Sequence, residues 1–539
     1  MTSKRKEEVI MRDFIEKMEE TLDEENNTSY TENRAKGYKT TNNLLLDLTF
    51  KIPELREAAI SGVDIYEEYF KEAFYENPKL ALKWLLYVRD IRKGLGERSI
   101  FRKLMVGLSN DEVFSEDPFK IIDFAEYGRW DDIIDIMWNT GMKNFQDWAC
   151  DYIAKRLSKD YVNLEKGKPI SLLAKWMPSE NASSKETRAK ARFFIKRWYY
   201  PNGANKYRAD LTRFRKELRV VESKMSANQW GDIDYSAVPS KANLIYKNAF
   251  EKHDESRRQE YLNALENGET KINSSAIMLY EIVSKYRDVL RENFYNYDAT
   301  DTTLEEMWKA LPKPTAEFSD TLVVRDGSGS MESRISSSGK TTALDVADSI
   351  CLYMAEHNSS PAFKNKFITF SRNPKIVDLT DCDSLVKKIK KISNYTDYSN
   401  TDIFKTFKLI RDAAVMTHTP NSELPKNVLI VSDMEFDSVR PPYNYIEGKF
   451  VREEEEKLFT SIDKMFKEFG YEVPKLIFWN VNSSTGTIPV TKNKNGVILV
   501  SGFSRNIVDM VTSTELDPYK ALLKVLNTDR YSCVDKMKI

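Results

Sequence analysis

Residues 1–315 predict an all-α, repeat-like helical array, and residues 316–539 predict an α/β doubly wound domain. Three observations carry this two-part reading. Apolar residues recur at helical spacing up to about residue 310. The stretch 311–320, LPKPTAEFSD, holds two prolines and reads as a linker. Beyond it, six short β-branched runs alternate with helical segments, the pattern of a mostly parallel sheet.

In the first part, Asn77-Pro78 has the form of an N-cap followed by proline at the first helical position. Leu80, Trp84, Tyr87, Val88 and Ile91 then mark one apolar helical face. Gly94 and Gly96 break that helix, and 97–108 reads as the second of a pair. A further pair is 117–127 and 131–139, broken at Gly128. Amphipathic stretches follow at 147–157, 186–200, 207–225, 241–251, 255–266 and 275–294, with almost no alternating strand pattern. Helical pairs in series predict a HEAT-like solenoid, although no strict sequence period is present.

In the second part the β-runs are TLVVRD, NKFITFS, KIVDL, NVLIVSD, KLIFWNV and GVILVSG. Helical segments at 341–356, 383–393, 402–417, 452–470 and 517–527 separate most of them. KIVDL follows FITFS too closely for a crossover and reads as an antiparallel edge strand.

Doubly wound sheets place ligands outside the carboxyl ends of their strands. The first β-run ends in Asp326-Gly327-Ser328-Gly329-Ser330, Thr401 precedes a helix, and Asp433 ends NVLIVSD. These five oxygen donors, Asp326, Ser328, Ser330, Thr401 and Asp433, would converge on one rim. An all-oxygen set without His or Cys suits Mg²⁺, which keeps several waters. Read alone, an Asp and Ser after a strand equally well cap a helix.

The DxSxS, Thr and Asp elements, in this order, resemble the metal-ion-dependent adhesion site of von Willebrand factor A domains, over roughly residues 318–539. The resemblance implies direct ligation by Ser328 and Ser330. Thr401 would ligate directly or through water, and the aspartates largely through water. The sixth position would be open to a carboxylate or another anionic oxygen of a partner.

Other candidate motifs weigh less. Ser338-Gly339-Lys340-Thr341-Thr342 imitates the end of a phosphate-binding loop, but Arg334 stands where its first glycine belongs. His253-Asp254 has no second His-rich element to complete a metal site. The acidic run 453–456 suits a helix start. No Ser/His/Asp or Cys/His constellation points to an enzyme.

The turn 89–98 (RDIRKGLGER) and the segment 127–132 (YGRWDD), in a helical array followed by such an A domain, resemble the TROVE module of the Ro autoantigen and telomerase-associated proteins. They are similar also to the TROVE-like family known as domain of unknown function 2828. LLAKWMPSE at 172–180, Trp230, AVPSKA at 237–242 and AFEKHD at 249–254 extend the likeness. Leu95 stands where that family commonly has Lys between the two glycines, which weakens a phosphate contact there. The resemblance implies a ring of helical repeats closed by the A domain, binding small structured RNA and single-stranded RNA ends.

Charge supports RNA independently. Residues 181–220 hold 12 Lys/Arg against Glu186, Asp210 and Glu217, so 12 − 3 = +9, within a chain whose net charge is −1. Arg208, Arg215 and Arg219, at i, i+7 and i+11, would form a row beside the apolar face of 207–221 and near aromatic residues. The candidate RNA contacts are Lys175, Arg188, Arg192, Lys196, Arg197, Arg208, Arg215, Arg219, Lys241 and His253. A solvated helix face is the plainer alternative.

Composition bounds the rest. No run of 18 apolar residues exists, and the N-terminus lacks the apolar core of a secretory signal. Four scattered cysteines without a CxxC pair fit a reducing cytoplasm. The expectation is a cytoplasmic RNA-binding ribonucleoprotein component without catalytic activity, carrying a Mg²⁺-dependent docking site. The alternative is a metal-dependent protein-interaction scaffold whose rim grips an acidic protein partner.

Overall fold

The computed structural model describes residues 18, 21–23, 25–62, 64–110, 123–199, 203–292, 300–314, 320–336, 339–371, 373–395, 403–436, 444–446, 449–451, 458–490, 496–511 and 517–536. It is helical from Leu44 to Lys309 and alternates strand and helix from Thr321 onward.

The first helical pair shows how the sequence makes these elements. Asn77 Oδ1 accepts from Leu80 N at 3.0 Å and Pro78 opens helix Pro78–Arg89, which is buried from Ala81 to Arg89. The chain then turns through Gly94, where a Cβ would lie 2.0 Å from the Tyr87 carbonyl oxygen, so only glycine fits. Leu95 N and Glu97 N return hydrogen bonds to Tyr87 O and Val88 O at 3.0 and 2.8 Å, and helix Arg98–Ser109 follows. At Gly128 a Cβ would lie 2.3 Å from Asp132 Oδ2 and 2.6 Å from Arg89 Nε. The YGRWDD segment therefore holds a buried ion network. Arg89 and Arg102 share Asp132 at 2.8 and 2.7 Å, and Arg102 also reaches Asp135 at 2.8 Å.

Two sequence expectations are corrected. The stretch 207–225 is two helices, Ala204–Glu217 and Val221–Ser226. Arg219 between them has φ 49°, a left-handed turn that no continuous helix contains. The first part also contains a hairpin, β1 (Thr28–Tyr30) and β2 (Lys36–Tyr38), paired antiparallel.

In the second part β3 (Thr321–Asp326), β4 (Lys366–Phe370), β5 (Ile376–Asp378), β6 (Asn427–Ser432), β9 (Lys475–Asn480) and β10 (Val497–Ser501) form one sheet of order β10-β9-β6-β3-β4-β5. Its pairs are parallel except the antiparallel edge strand β5. A separate hairpin joins β7 (Asn444–Ile446) and β8 (Lys449–Val451). The sheet is buried on both faces. Leu322, Val324, Val428, Ile430, Leu476 and Phe478 pack with helices Ile403–Thr417 and Leu458–Lys467. The alternate residues Val323, Leu429, Val431, Ile477 and Trp479 join a core that runs without a break into the helical part.

Two stretches of the helical part far apart in sequence meet on one loop of the sheet domain. Ser504 Oγ and Asn506 Nδ2 donate to Gly94 O at 2.8 and 2.9 Å. Between them, Arg505 donates to Ile277 O at 3.3 Å and Ser275 O at 2.5 Å. Leu95, 1% exposed, lies inside this junction. Its apolar side chain is thus explained by packing, since a Cβ on Gly502 would touch Leu95 Cδ2 at 3.8 Å. No helix among the described residues is long and apolar enough to cross a membrane.

Candidate metal centre and basic face

Adjacent strands β3 and β6 deliver their last residues to one rim, with Arg325 opposite Val431. Asp326 is fully buried. Its Oδ1 accepts from Ser328 N at 2.9 Å and its Oδ2 from Ser432 Oγ at 2.6 Å. The Ser328 and Ser330 hydroxyls lie 3.0 Å apart. Asp433, also buried, accepts from Glu435 N at 3.3 Å. Met434 at φ 65° forms the tight turn between them, its N bonded to Ser432 Oγ at 3.0 Å.

Burial pushes the Asp326 carboxyl above its usual range. Burial first, and then the neighbouring Asp326 charge, push Asp433 up to about 7, while a hydrogen bond from Ser330 pulls it down. The rim thus gathers two carboxylates that repel each other and two hydroxyls that point among them. This donor set fits a hard divalent cation, whose charge would relieve the repulsion. Among the described residues, no three of His, Cys, Asp and Glu gather as a metal-holding group, so hydroxyls must supply part of any coordination here. Thr401 lies outside the described residues. Of the five expected donors, the structure brings together Asp326, Ser328, Ser330 and Asp433.

Sequence reasoning missed Glu435. Its Oε1 accepts from Ser484 N and Thr485 N, both at 3.0 Å, and from the Ser483, Ser484 and Thr485 hydroxyls. Its Oε2 accepts from Glu32 N at 2.8 Å, and Thr31 Oγ1 donates to Phe436 O at 2.6 Å. Glu435 therefore ties the Asp433 turn to the 483–485 loop and to the β1–β2 hairpin. Its only sequence signal is a second acid in the loop after Asp433. Glu54 lies beside it with both carboxylate oxygens buried, and burial pushes it up to about 7.

The ten candidate RNA contacts divide. Arg215 faces inward, donating to Ala174 O, Met177 O and Ser179 Oγ at 3.0, 2.7 and 2.8 Å. Arg188 donates to Ala182 O and Ser183 O at 2.6 and 2.7 Å. Arg197 pairs with Asp147 at 2.9 Å, Arg208 with Glu180 at 2.8 Å and Lys175 with Glu222 at 3.9 Å. Lys241 pairs with Glu281. The His253 ring stacks on Trp230, centroids 4.5 Å apart and 9° from parallel. Arg192, Lys196 and Arg219 are exposed and make no side-chain ion pair or hydrogen bond among the described residues, as do Lys206 and Lys216, which the candidate set omitted. The expected row of Arg208, Arg215 and Arg219 does not form. Arg215 is spent on carbonyls, and the left-handed turn takes Arg219 off the helix.

Residues 195–317 match the model for a domain of unknown function, DUF2828, and residues 320–528 match that for another, DUF7788. The chain is 29% identical over 540 aligned positions to "Uncharacterized protein L728" of Acanthamoeba polyphaga mimivirus, covering 93% of this chain and 87% of that one. No solved structure matches the chain.

Proposed function

We propose that this chain is a non-catalytic, cytoplasmic RNA-binding protein whose α/β rim adds a Mg²⁺-dependent docking site. The observation that carries the RNA reading is the exposed set Arg192, Lys196, Lys206, Lys216 and Arg219, without ion-pair partners among the described residues, around helices Lys185–Trp198 and Ala204–Glu217. Such cations release counterions when they meet phosphates, so affinity falls steeply with salt. The likeness of the helical turns to TROVE modules and of the rim to von Willebrand A domains supports the same reading. At the rim, Asp326, Ser328, Ser330 and Asp433 would hold the cation, with Thr401 as the further expected donor. The cation would supply positive charge to an anionic oxygen of a partner. Asp433 must ionise to serve it, so metal affinity should fall as pH drops below about 7.

The test is a mobility-shift titration of the full chain with a mixed-sequence single-stranded RNA and a small stem-loop RNA at rising salt. Retention at low salt that declines linearly on a log–log plot is expected. No shift at low salt with either RNA overturns the reading.

One observation favours a second reading, a metal-dependent protein scaffold. Arg188, Arg197, Arg208 and Arg215 are engaged within the fold, whereas the rim donors converge. On that reading, capture of an acidic protein partner is lost on chelation or with Ser328→Ala, and RNA has no effect.

A further inference from the structure

Asp326 sits at the rim, but the residue before it, Arg325, points to the opposite face of β3, as strand alternation requires. Its side chain is completely buried, and Nε bonds Asp348 Oδ1 at 2.7 Å. The other Asp348 oxygen pairs with Arg287 of the helical array. Arg287 also holds Asp345 at 2.6 Å, the residue that closes the capping box of helix Ala343–Glu356. The Arg325 guanidinium curls back beneath the rim. Nη1 donates to Tyr395 O at 3.0 Å, and a Cβ on Gly327 would lie 2.4 Å from it. Nη2 is buried without a hydrogen-bond partner among the described residues.

Four charges, two of each sign, thus run from helix Leu279–Glu292 to the underside of the Asp326–Ser330 loop. Charges shielded from water act at longer range than solvated ones. The loop therefore feels the guanidinium of Arg325 as far as Asp348 fails to neutralise it, and Asp348 divides its charge between Arg325 and Arg287.

We propose that Asp348 is a positioning residue shared between the two parts of the molecule, through which the docking of Arg287 sets how tightly the rim holds a divalent cation. This rests on the metal reading of the rim. Removing Arg287 leaves Asp348 wholly to Arg325, makes the underside of the loop more negative and tightens cation binding. Removing Asp348 exposes two guanidiniums and weakens it. Because coupling free energies are reciprocal, metal binding would also weaken the hold of Arg287, and with it of the array, on the α/β domain.

The experiment is a Mn²⁺ titration of the full chain followed by electron paramagnetic resonance, with Mg²⁺ competition. Arg287→Gln should bind about tenfold more tightly and Asp348→Asn about tenfold more weakly, the scale of one buried charge a few residues away. The double variant should return to within about threefold of the parent, as should the charge-keeping Arg287→Lys. A merely structural role loosens the loop in each single variant, so it weakens binding in both. Arg287→Gln binding no more tightly than the parent overturns the coupling and leaves the metal site standing. A parent chain that takes up no Mn²⁺ overturns both. If Arg287→Gln fails to fold, the double variant decides: affinity well below the parent's sinks the proposal.

Discussion

At the α/β rim, the candidate side chains turn toward one another, with Asp326, Ser328 and Asp433 buried. On helices Lys185–Trp198 and Ala204–Glu217, the candidate cations are spread between internal partners and open water. The contrast teaches where each region keeps its binding free energy. At the rim it would lie in two charges whose repulsion a cation relieves, so single substitutions are decisive. On the basic face it would lie in the number of free charges, so substitutions act by increments and salt opposes them.

The sharpest way to break this comparison is Asp326→Ala. Divalent binding should fall at least about 100-fold in the Mn²⁺ titration, as for loss of a metal-site residue, with RNA retention at low salt within about twofold of the parent. A matching loss of RNA would merge the two regions into one site.

Arg215→Ala comes next and sorts the basic residues by role. It strips partners from the Ala174 and Met177 carbonyls and should destabilise the fold by about 2–3 kcal/mol. Urea unfolding reads this as a lower midpoint. An unchanged midpoint with weakened RNA binding would return Arg215 to the RNA surface.

Replacing Arg192, Lys196, Lys216 and Arg219 together by Ala should weaken RNA binding about tenfold near physiological salt and flatten the salt slope, with the unfolding midpoint kept. If the slope does not change, those side chains do not meet phosphates.

The smallest effect is expected at Glu54, beside Glu435. Its carboxyl is raised from 4.5 to about 7 in the fold, so the native state holds a proton that the unfolded chain has lost. Its contribution is fully present below pH about 4.5 and is lost as pH rises through about 7. Glu54→Gln should therefore raise stability at pH 8 by about 1 kcal/mol and flatten the decline between pH 5 and 7. An unchanged pH profile would mean that Glu54 finds solvent.

The same contrast explains what was legible in the sequence. β-branched runs ended by Asp326 and Asp433 placed those carboxylates at strand ends, and strands β3 and β6 then had little freedom but to set them side by side. The edge strand β5 was legible from the short gap after β4. The basic face was legible only as a charge total. Whether an arginine is free depends on carbonyls far along the chain, such as Ala174 for Arg215, and periodicity carries no sign of these. The break at Arg219 was hidden because a left-handed non-glycine residue leaves no mark on composition. Glu435 escaped for a similar reason: its partners at 483–485 and at Glu32 are remote in sequence.

The β1–β2 hairpin has a consequence for how the chain is made. Thr31 bonds Phe436 across 405 residues, and Tyr38 pairs with Ile488. At ribosomal speeds of about 5–20 residues per second, the hairpin emerges roughly 20–80 s before its partner strand segments exist. Its edges must stay unpaired throughout that interval. The hairpin is thus made long before it finds its place, and the Asp433 turn is finished only when residues 31–32 come back to it.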